Sequence, residues 1–484
     1  YSLALVNPHS PGQHSHPHFQ SRLLRARKSL ASVVGASQVD AYLQGDQPKP
    51  VVFPSNASCT EHADFVRSEL QTYVRVGAAR VWDDTCEWGI DELVVHPMSV
   101  AVHPTSGKKR LCMDANYTNI FEVYEPVQFE LLPDVFPLVQ AGDWGYVTDC
   151  TKGYFHVALS PQAQRLLCVS FEGTTYIFTA LPFGLSSPLR AYTDIMSVVY
   201  MPLRQHGQRF SHMIDDRIGL ATTRQACWLD ISITVRILCA LGFHLGIPKC
   251  VLWPQQHLLY LGMILNLRSL QCFVPDKKLQ KFNATVIELL SSPIITPRQL
   301  CRVAGMIASF ALAVPLGRLY THQLYLALTG MLSWDQALPV GDELKKHLAW
   351  LQSYVPAHNG NHWFRRVPGV VLVSDASVKG VGGIAGTQLP HQDDVVHVSL
   401  QSQIPVELQV SSSTCREAVG VLSLFQTLLQ QPQWIQLLEH RAVKVLLTIK
   451  GWHLIFNACM ALLLSLNMSC HYMSWLLSMI LSFK

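Results

Sequence analysis

Phe210-Ser211-His212-Met213-Ile214-Asp215-Asp216-Arg217-Ile218-Gly219-Leu220 sets two adjacent acids between apolar runs, the pattern of a β-hairpin that holds carboxylates at its tip. Neighbouring side chains on a strand point to opposite faces, so only one acid of such a pair can aim squarely at a metal unless a tight turn rotates the second. The turn is therefore part of the chemistry. In isolation such a pair is a solvated turn, and its meaning depends on what the rest of the chain supplies.

Upstream, Asp143-Trp144-Gly145-Tyr146-Val147-Thr148-Asp149 closes a strand-like stretch on a third acid. Phe155, Val157 and Leu159 then alternate with His156 and Ala158, as a second extended segment would. Acids carried on separate strands can converge on one point. Two divalent ions clamped there stabilise the attacking and leaving oxygens of an in-line displacement, which is polymerase or nuclease chemistry. Mg²⁺ suits a few carboxylates plus substrate phosphates, with Mn²⁺ as the alternative ion. Between the acids lies Leu181-Pro182-Phe183-Gly184-Leu185-Ser186-Ser187-Pro188, followed by Leu189, Tyr192, Ile195, Met196 and Val199 at helical spacing. Ser187 is placed to cap a helix whose first residue is Pro188, and Gly184 to let backbone approach a ligand. Beyond the acid pair, Trp228, Ile231, Val235 and Leu238 mark a helix that stops near Gly242. Lys249 and the hairpin-like Leu259-Tyr260-Leu261-Gly262-Met263-Ile264 follow.

In this order, the segments resemble the palm of a retroelement reverse transcriptase, with Leu-Pro-Phe-Gly-Leu closest in flavour to DIRS-type and gypsy-type retrotransposons. The resemblance covers roughly Ala79 to Leu328 and continues into a second domain. It implies an α+β fold, a right-hand palm, fingers and thumb followed by an incomplete α/β ribonuclease H-like domain. The implied activity is RNA-directed DNA polymerisation. Asp149, Asp215 and Asp216 would be the catalytic, metal-binding carboxylates, and Tyr154 the aromatic gate that clashes with a ribose 2′-hydroxyl. Arg110 and Lys108 would grip the incoming deoxynucleoside triphosphate, Arg110 bidentately, with Asn119 further on in the same fingers segment. Phe183 and Gly184 would line the nucleotide site, Lys249 would lie near the leaving pyrophosphate, and Tyr260, Leu261 and Gly262 would hold the primer. The implied partners are an RNA or DNA template with its primer, contacted mostly through the backbone, and deoxynucleoside triphosphates. Met213 stands where the family most often has Tyr, and Arg217 where an apolar residue is common.

The expected domains are a disordered leader (1–60), fingers and palm (61–270), thumb and connection helices (271–368), the ribonuclease H-like domain (369–447) and an aberrant apolar tail (448–484). Thr296 and Pro297 open a helix in the third of these. In the fourth, Asp375 ends a buried-looking strand and Glu417 sits on a helix, resembling the first two acids of a ribonuclease H. After Ala442 to Leu447, where the family places an Asp-Asn pair, the chain has Thr448-Ile449-Lys450, so ribonuclease activity is expected to be absent or very low. From Gly451 to Phe483 no Asp, Glu, Lys or Arg occurs. A shifted reading frame explains the missing acid and the odd tail together. The rival reading is a membrane anchor, disfavoured by Asn457, Asn467, His453 and His471, each of which would need a partner in lipid.

The length allows two or three domains, and 37 Lys and Arg against 33 Asp and Glu is weak evidence for nucleic acid. Thirteen cysteines without Cys-x-x-Cys spacing argue against a zinc module and, with no secretory signal, point to reduced thiols in the cytoplasm or nucleus. His9, His14, His16 and His18 lie in the Pro- and Ser-rich leader, and the opening Tyr1 suggests a piece of a longer polyprotein. The reading of a different class is a degenerate, non-catalytic element product that at most binds nucleic acid.

Overall fold

The computed structural model describes residues 1–9, 18–104, 106–123, 126–315, 317–363, 368–388 and 395–404, then 406–409, 442–447, 453–457 and isolated positions between 416 and 434. The chain is a mixed α/β protein of two compact units, Tyr1–Leu270 and Gln271–Lys484.

The first unit is built on two sheets. One takes β1 (Val51–Val52), β2 (Ala79–Val81), β3 (Val94–His96), β7 (Cys168–Phe171) and β8 (Thr174–Phe178) in the order β1-β3-β7-β8-β2. The hairpin β4 (Met98–Val102) and β5 (Lys109–Met113) stands apart from it. The second sheet takes β6 (Trp144–Thr148), β9 (Arg209–Met213), β10 (Asp216–Ala221) and β11 (Val251–Gln255) in the order β11-β6-β10-β9. Here β6 pairs antiparallel with both β10 and β11, so the strand that ends at Asp149 lies beside the Asp hairpin. Tyr146, Phe210, Ile218 and Leu220 from this sheet are buried. A further hairpin joins β12 (His257–Tyr260) to β13 (Met263–Asn266). Leu261 and Gly262 make its two-residue loop with φ 45° and 77°, the left-handed pair that matches the twist of the flanking strands.

Helix α1 (Phe19–Val34) belongs to this unit and buries Phe19, Ala26 and Leu30. The expected disordered leader is thus corrected from His18 onward: apolar residues of 19–53 join the main core, and β1 pairs parallel with β3. Leu5 forms an antiparallel bridge with Glu122. His14 and His16 lie outside the described residues. A second correction concerns Gly153–His156, a single 3₁₀ turn where an extended segment was expected. Lys152 enters it with φ 49°, a left-handed conformation that turns the chain sharply under the Asp hairpin. Helix α2 (Pro188–Gln205) follows the Leu-Pro-Phe-Gly segment, and α3 (Arg224–Ala240) packs on β10.

In the second unit, helix Pro297–Ser309 is opened by a capping box in which Thr296 and Gln299 bond each other's backbone. Strands Pro368–Ala376, Gly380–Gln388 and Val395–Gln403 form an antiparallel run, and Ala442–Leu447 lies parallel to the first of them. Part of the expected aberrant tail is a strand: His453–Asn457 pairs antiparallel with Ala442–Leu447. Asp375 is exposed near the end of its strand, whereas Glu417 lies outside the described residues. Among the described residues no helix is long and apolar enough to cross a membrane.

Candidate polymerase site

Met213 pairs with Asp216 across the β9–β10 hairpin, leaving Ile214 and Asp215 as its two-residue turn. Ile214 takes φ 56°, a strained conformation for a β-branched residue. The strain gives Asp215 a place in the turn while Asp216 begins the next strand. Asp215 then meets the 3₁₀ turn beneath. A Cβ on Gly153 would lie 2.0 Å from Asp215 Oδ1 and 2.7 Å from the Tyr192 ring, so only glycine fits. His156 fastens this turn. Its Nε2 accepts from His244 N at 3.0 Å, which leaves Nδ1 to carry the proton and donate to Gly153 O at 3.0 Å.

Asp149 is 5% exposed, directly after β6. Its amide donates to Cys250 Sγ at 3.3 Å, its carbonyl accepts from Gly246 N at 2.8 Å, and Lys249 Nζ reaches both carboxylate oxygens at 2.9 and 3.1 Å. Lys249, on the 3₁₀ turn Ile247–Lys249, has its own pKa raised by that hydrogen bond. Asp215 Oδ1 is buried, and among the described residues no donor meets it in hydrogen-bonding geometry. Burial pushes the Asp215 carboxyl up to about 6; the nearby Tyr192 hydroxyl opposes this, and the charges of Asp149 and Asp216 add to it. Asp216 is raised as well, first by burial and then by Asp149. Three mutually repelling carboxylates, one with an orphaned oxygen, supply the hard oxygen donors that a Mg²⁺ or Mn²⁺ would take. They do not yet surround a point: among the described residues no three His, Cys, Asp or Glu side chains are arranged to hold an ion, and Asp149 is engaged by Lys249.

Tyr154 stands on the same 3₁₀ turn, its ring 4.9 Å from Phe183 and 5.5 Å from Tyr192. Burial and the nearby Asp215 charge raise its hydroxyl to about 12. Phe183 is half exposed. Gly184 has φ 110°, and a Cβ there would strike the Met113 carbonyl oxygen at 2.3 Å, so the loop lies hard against the end of β5. Ser187 is the residue before α2, yet its hydroxyl donates to Glu122 Oε1 at 2.6 Å and makes no capping bond, contrary to the expected Ser cap.

Tyr260 is buried to 2%, and its hydroxyl points at the carbonyls of Ser211 and Asp216 at 3.5 and 3.4 Å. Its hydroxyl thus ties this hairpin to the β9–β10 hairpin, while Leu261 and Gly262 form the loop itself. Arg110 and Lys108 have exposed side chains on the β4–β5 hairpin, and among the described residues no hydrogen bond or ion pair joins them to the three carboxylates. Arg217 is fully buried. Its guanidinium lies 4.3 Å from the Phe210 ring centre and 5.1 Å from that of Tyr200, and donates to Tyr146 Oη at 2.6 Å. Gly153, Cys250 and Glu122 join the site without a role assigned from the sequence, and Tyr192, read only as one residue of a helical face, joins them.

The fold is of the reverse-transcriptase class. The chain superimposes on the foamy viral protease–reverse transcriptase in complex with dsDNA with a TM-score of 0.56 at 13% identity, covering 90% of this chain and 98% of that one. With the same viral protein in complex with an RNA/DNA hybrid, the TM-score is 0.55 at 13% identity, over 96% of this chain and 61% of that one. In sequence, 139 residues, 28% of the chain, are 27% identical to the Gag-Pol polyprotein of walleye dermal sarcoma virus. That match spans 8% of the polyprotein's length. No model of a known protein family matches the chain.

Proposed function

We propose that the chain is an RNA-directed DNA polymerase of a retroelement, of DIRS or gypsy type, extending a primer on an RNA or DNA template with deoxynucleoside triphosphates. The observation that carries this reading is the buried Asp215 carboxylate, held on its hairpin turn beside Asp149 and Asp216 in a reverse-transcriptase fold. Asp149, Asp215 and Asp216 would hold two Mg²⁺ ions, which when bound supply charge stabilisation at the attacking and leaving oxygens. Lys249, withdrawn from Asp149, would supply a cation for the pyrophosphate. Tyr154, backed by Phe183 and Tyr192, presents a rigid ring against a ribose 2′-hydroxyl. Arg110 and Lys108 serve the triphosphate from the β4–β5 hairpin, and Leu261 and Gly262 abut the primer. The ribonuclease H-like part, with Thr448 following the strand Ala442–Leu447, is inactive.

The Lys249–Asp149 ion pair favours a second reading, a degenerate product whose carboxylates never close on metal. Primer extension on an RNA template with Mg²⁺ separates the two. Extension that disappears in Asp215→Asn supports the polymerase; no extension, or equal extension by that variant, supports the degenerate product.

A further inference from the structure

Glu122 is 3% exposed and lies far in sequence from the Asp hairpin, yet most of its bonding is directed at the loop between Phe183 and α2. Oε2 accepts from Ser186 N at 2.9 Å and Ser187 N at 3.2 Å, and Oε1 accepts from Ser187 Oγ at 2.6 Å. These two amides immediately precede an 18-residue helix, where a carboxylate is also favoured by the helix dipole. Asn119, one turn earlier, completes the grip by donating to Gly184 O at 2.9 Å and accepting from Ser186 N at 2.8 Å. The N-terminal segment braces the grip from behind. Val6 N donates to Phe121 O at 2.7 Å and Val123 N to Ala4 O at 2.9 Å, fixing the backbone on both sides of Glu122. From α1, Arg22 Nη1 donates to Ser186 Oγ at 2.6 Å.

What this grip holds is Phe183 against Tyr154. The loop is short, and Gly184 is already pressed on Met113 O, so a shift at Ser186 and Ser187 has little slack to absorb it before Phe183 moves. We propose that Glu122 is a positioning residue for the nucleotide site, clamping the 183–187 loop so that Phe183 keeps the Tyr154 ring where it discriminates sugars. The inference rests on the polymerase reading for its functional half; the clamp itself does not.

Two measurements on the full chain keep these apart. Amide hydrogen exchange at Ser186 and Ser187 reads the clamp without any activity, and in Glu122→Ala protection there is expected to fall by about tenfold or more, about 1.4 kcal/mol per decade. Steady-state primer extension reads the consequence: in Glu122→Ala the KM for deoxynucleotide rises about tenfold, kcat stays within about twofold, and preference for deoxy- over ribonucleotide falls by about tenfold, again about 1.4 kcal/mol per decade. Glu122→Gln keeps a carbonyl acceptor for both amides and an amide that can donate to Ser187 Oγ, so it restores protection and KM together. Unchanged protection in Glu122→Ala, a Gln variant as defective as Ala, or a loss confined to kcat each overturns the proposal. Lost protection in a chain whose wild type extends no primer overturns the polymerase reading and the sugar-discriminating role, while the clamp on Ser186 and Ser187 stands.

Discussion

Asp215→Asn is expected to stabilise the metal-free protein while abolishing primer extension. The Asp215 carboxyl is raised from 3.8 to about 6, chiefly by burial. A folded-state pKa above the unfolded one means that ionising the group costs stability: its favourable contribution is fully present below about pH 4 and is lost as pH rises through about 6. The shift of about 2 units corresponds to a ceiling of about 3 kcal/mol at neutral pH. Asparagine removes the charge but leaves an amide in the same partly buried place, with Oδ1 still short of a donor, so the net gain is set at about 1–2 kcal/mol. For a unit of this size, that is an upward shift of about 3–6 °C in Tm. The assay is thermal unfolding in chelator, with wild type and variant side by side at about pH 7.5 and about pH 4.5. The advantage should be present at the higher pH and largely gone at the lower. Added Mg²⁺ should then raise the wild-type Tm and close the gap, because an ion that binds only the folded state stabilises it by mass action. A variant no more stable than wild type at the higher pH, or an advantage equal at both, would refute the view that Asp215 is an uncompensated charge waiting for a cation.

Lys249→Met removes the cation that occupies Asp149. Because the lysine side chain is 72% exposed the pair is worth only about 0.5–1 kcal/mol, so the Mg²⁺ concentration for half-maximal extension should fall about two- to fivefold while kcat drops; an unchanged or higher Mg²⁺ requirement counts against the pairing. Gly184→Ala should lose about 2 kcal/mol or more in denaturant unfolding, since its Cβ meets the Met113 carbonyl at a backbone angle that L residues rarely adopt; a neutral result would mean that the loop is not pressed on β5. For Arg217, Met is expected to be within about 1 kcal/mol of wild type because it keeps the packing against Phe210 and Tyr200 without burying a charge, whereas Ala should cost about 3 kcal/mol. Equal losses in the two variants would show instead that the guanidinium itself holds the sheet together.

Local pattern carried the parts of this molecule that local physics determines. Alternating apolar residues around Asp215 and Asp216 specify a hairpin wherever they occur, and Thr296-Pro297 opens a helix without help from the rest of the chain. The same logic misread Phe155 and His156, though not Val157 to Leu159, which bridge to 179–181; there period-two alternation met a tertiary demand, since the turn at Gly153 has to pass under Asp215, and Lys152 adopts a left-handed φ to let it. It also misread the first 60 residues. Leu5 and Arg22 find partners more than a hundred residues away, at Glu122 and Ser186, and no window of local sequence contains both ends of such a contact. Arg217 is the same problem inverted. A charged residue in a strand suggests solvent, yet the rings of Tyr146, Tyr200 and Phe210, from three different elements, surround it, and the Tyr146 hydroxyl accepts its hydrogen bond. The hairpin that carries Asp215 and Asp216 was legible because its pattern is local; the residues packed around the site were not, because Gly153, Tyr192, Cys250 and Glu122 reach it only through where the fold delivers them.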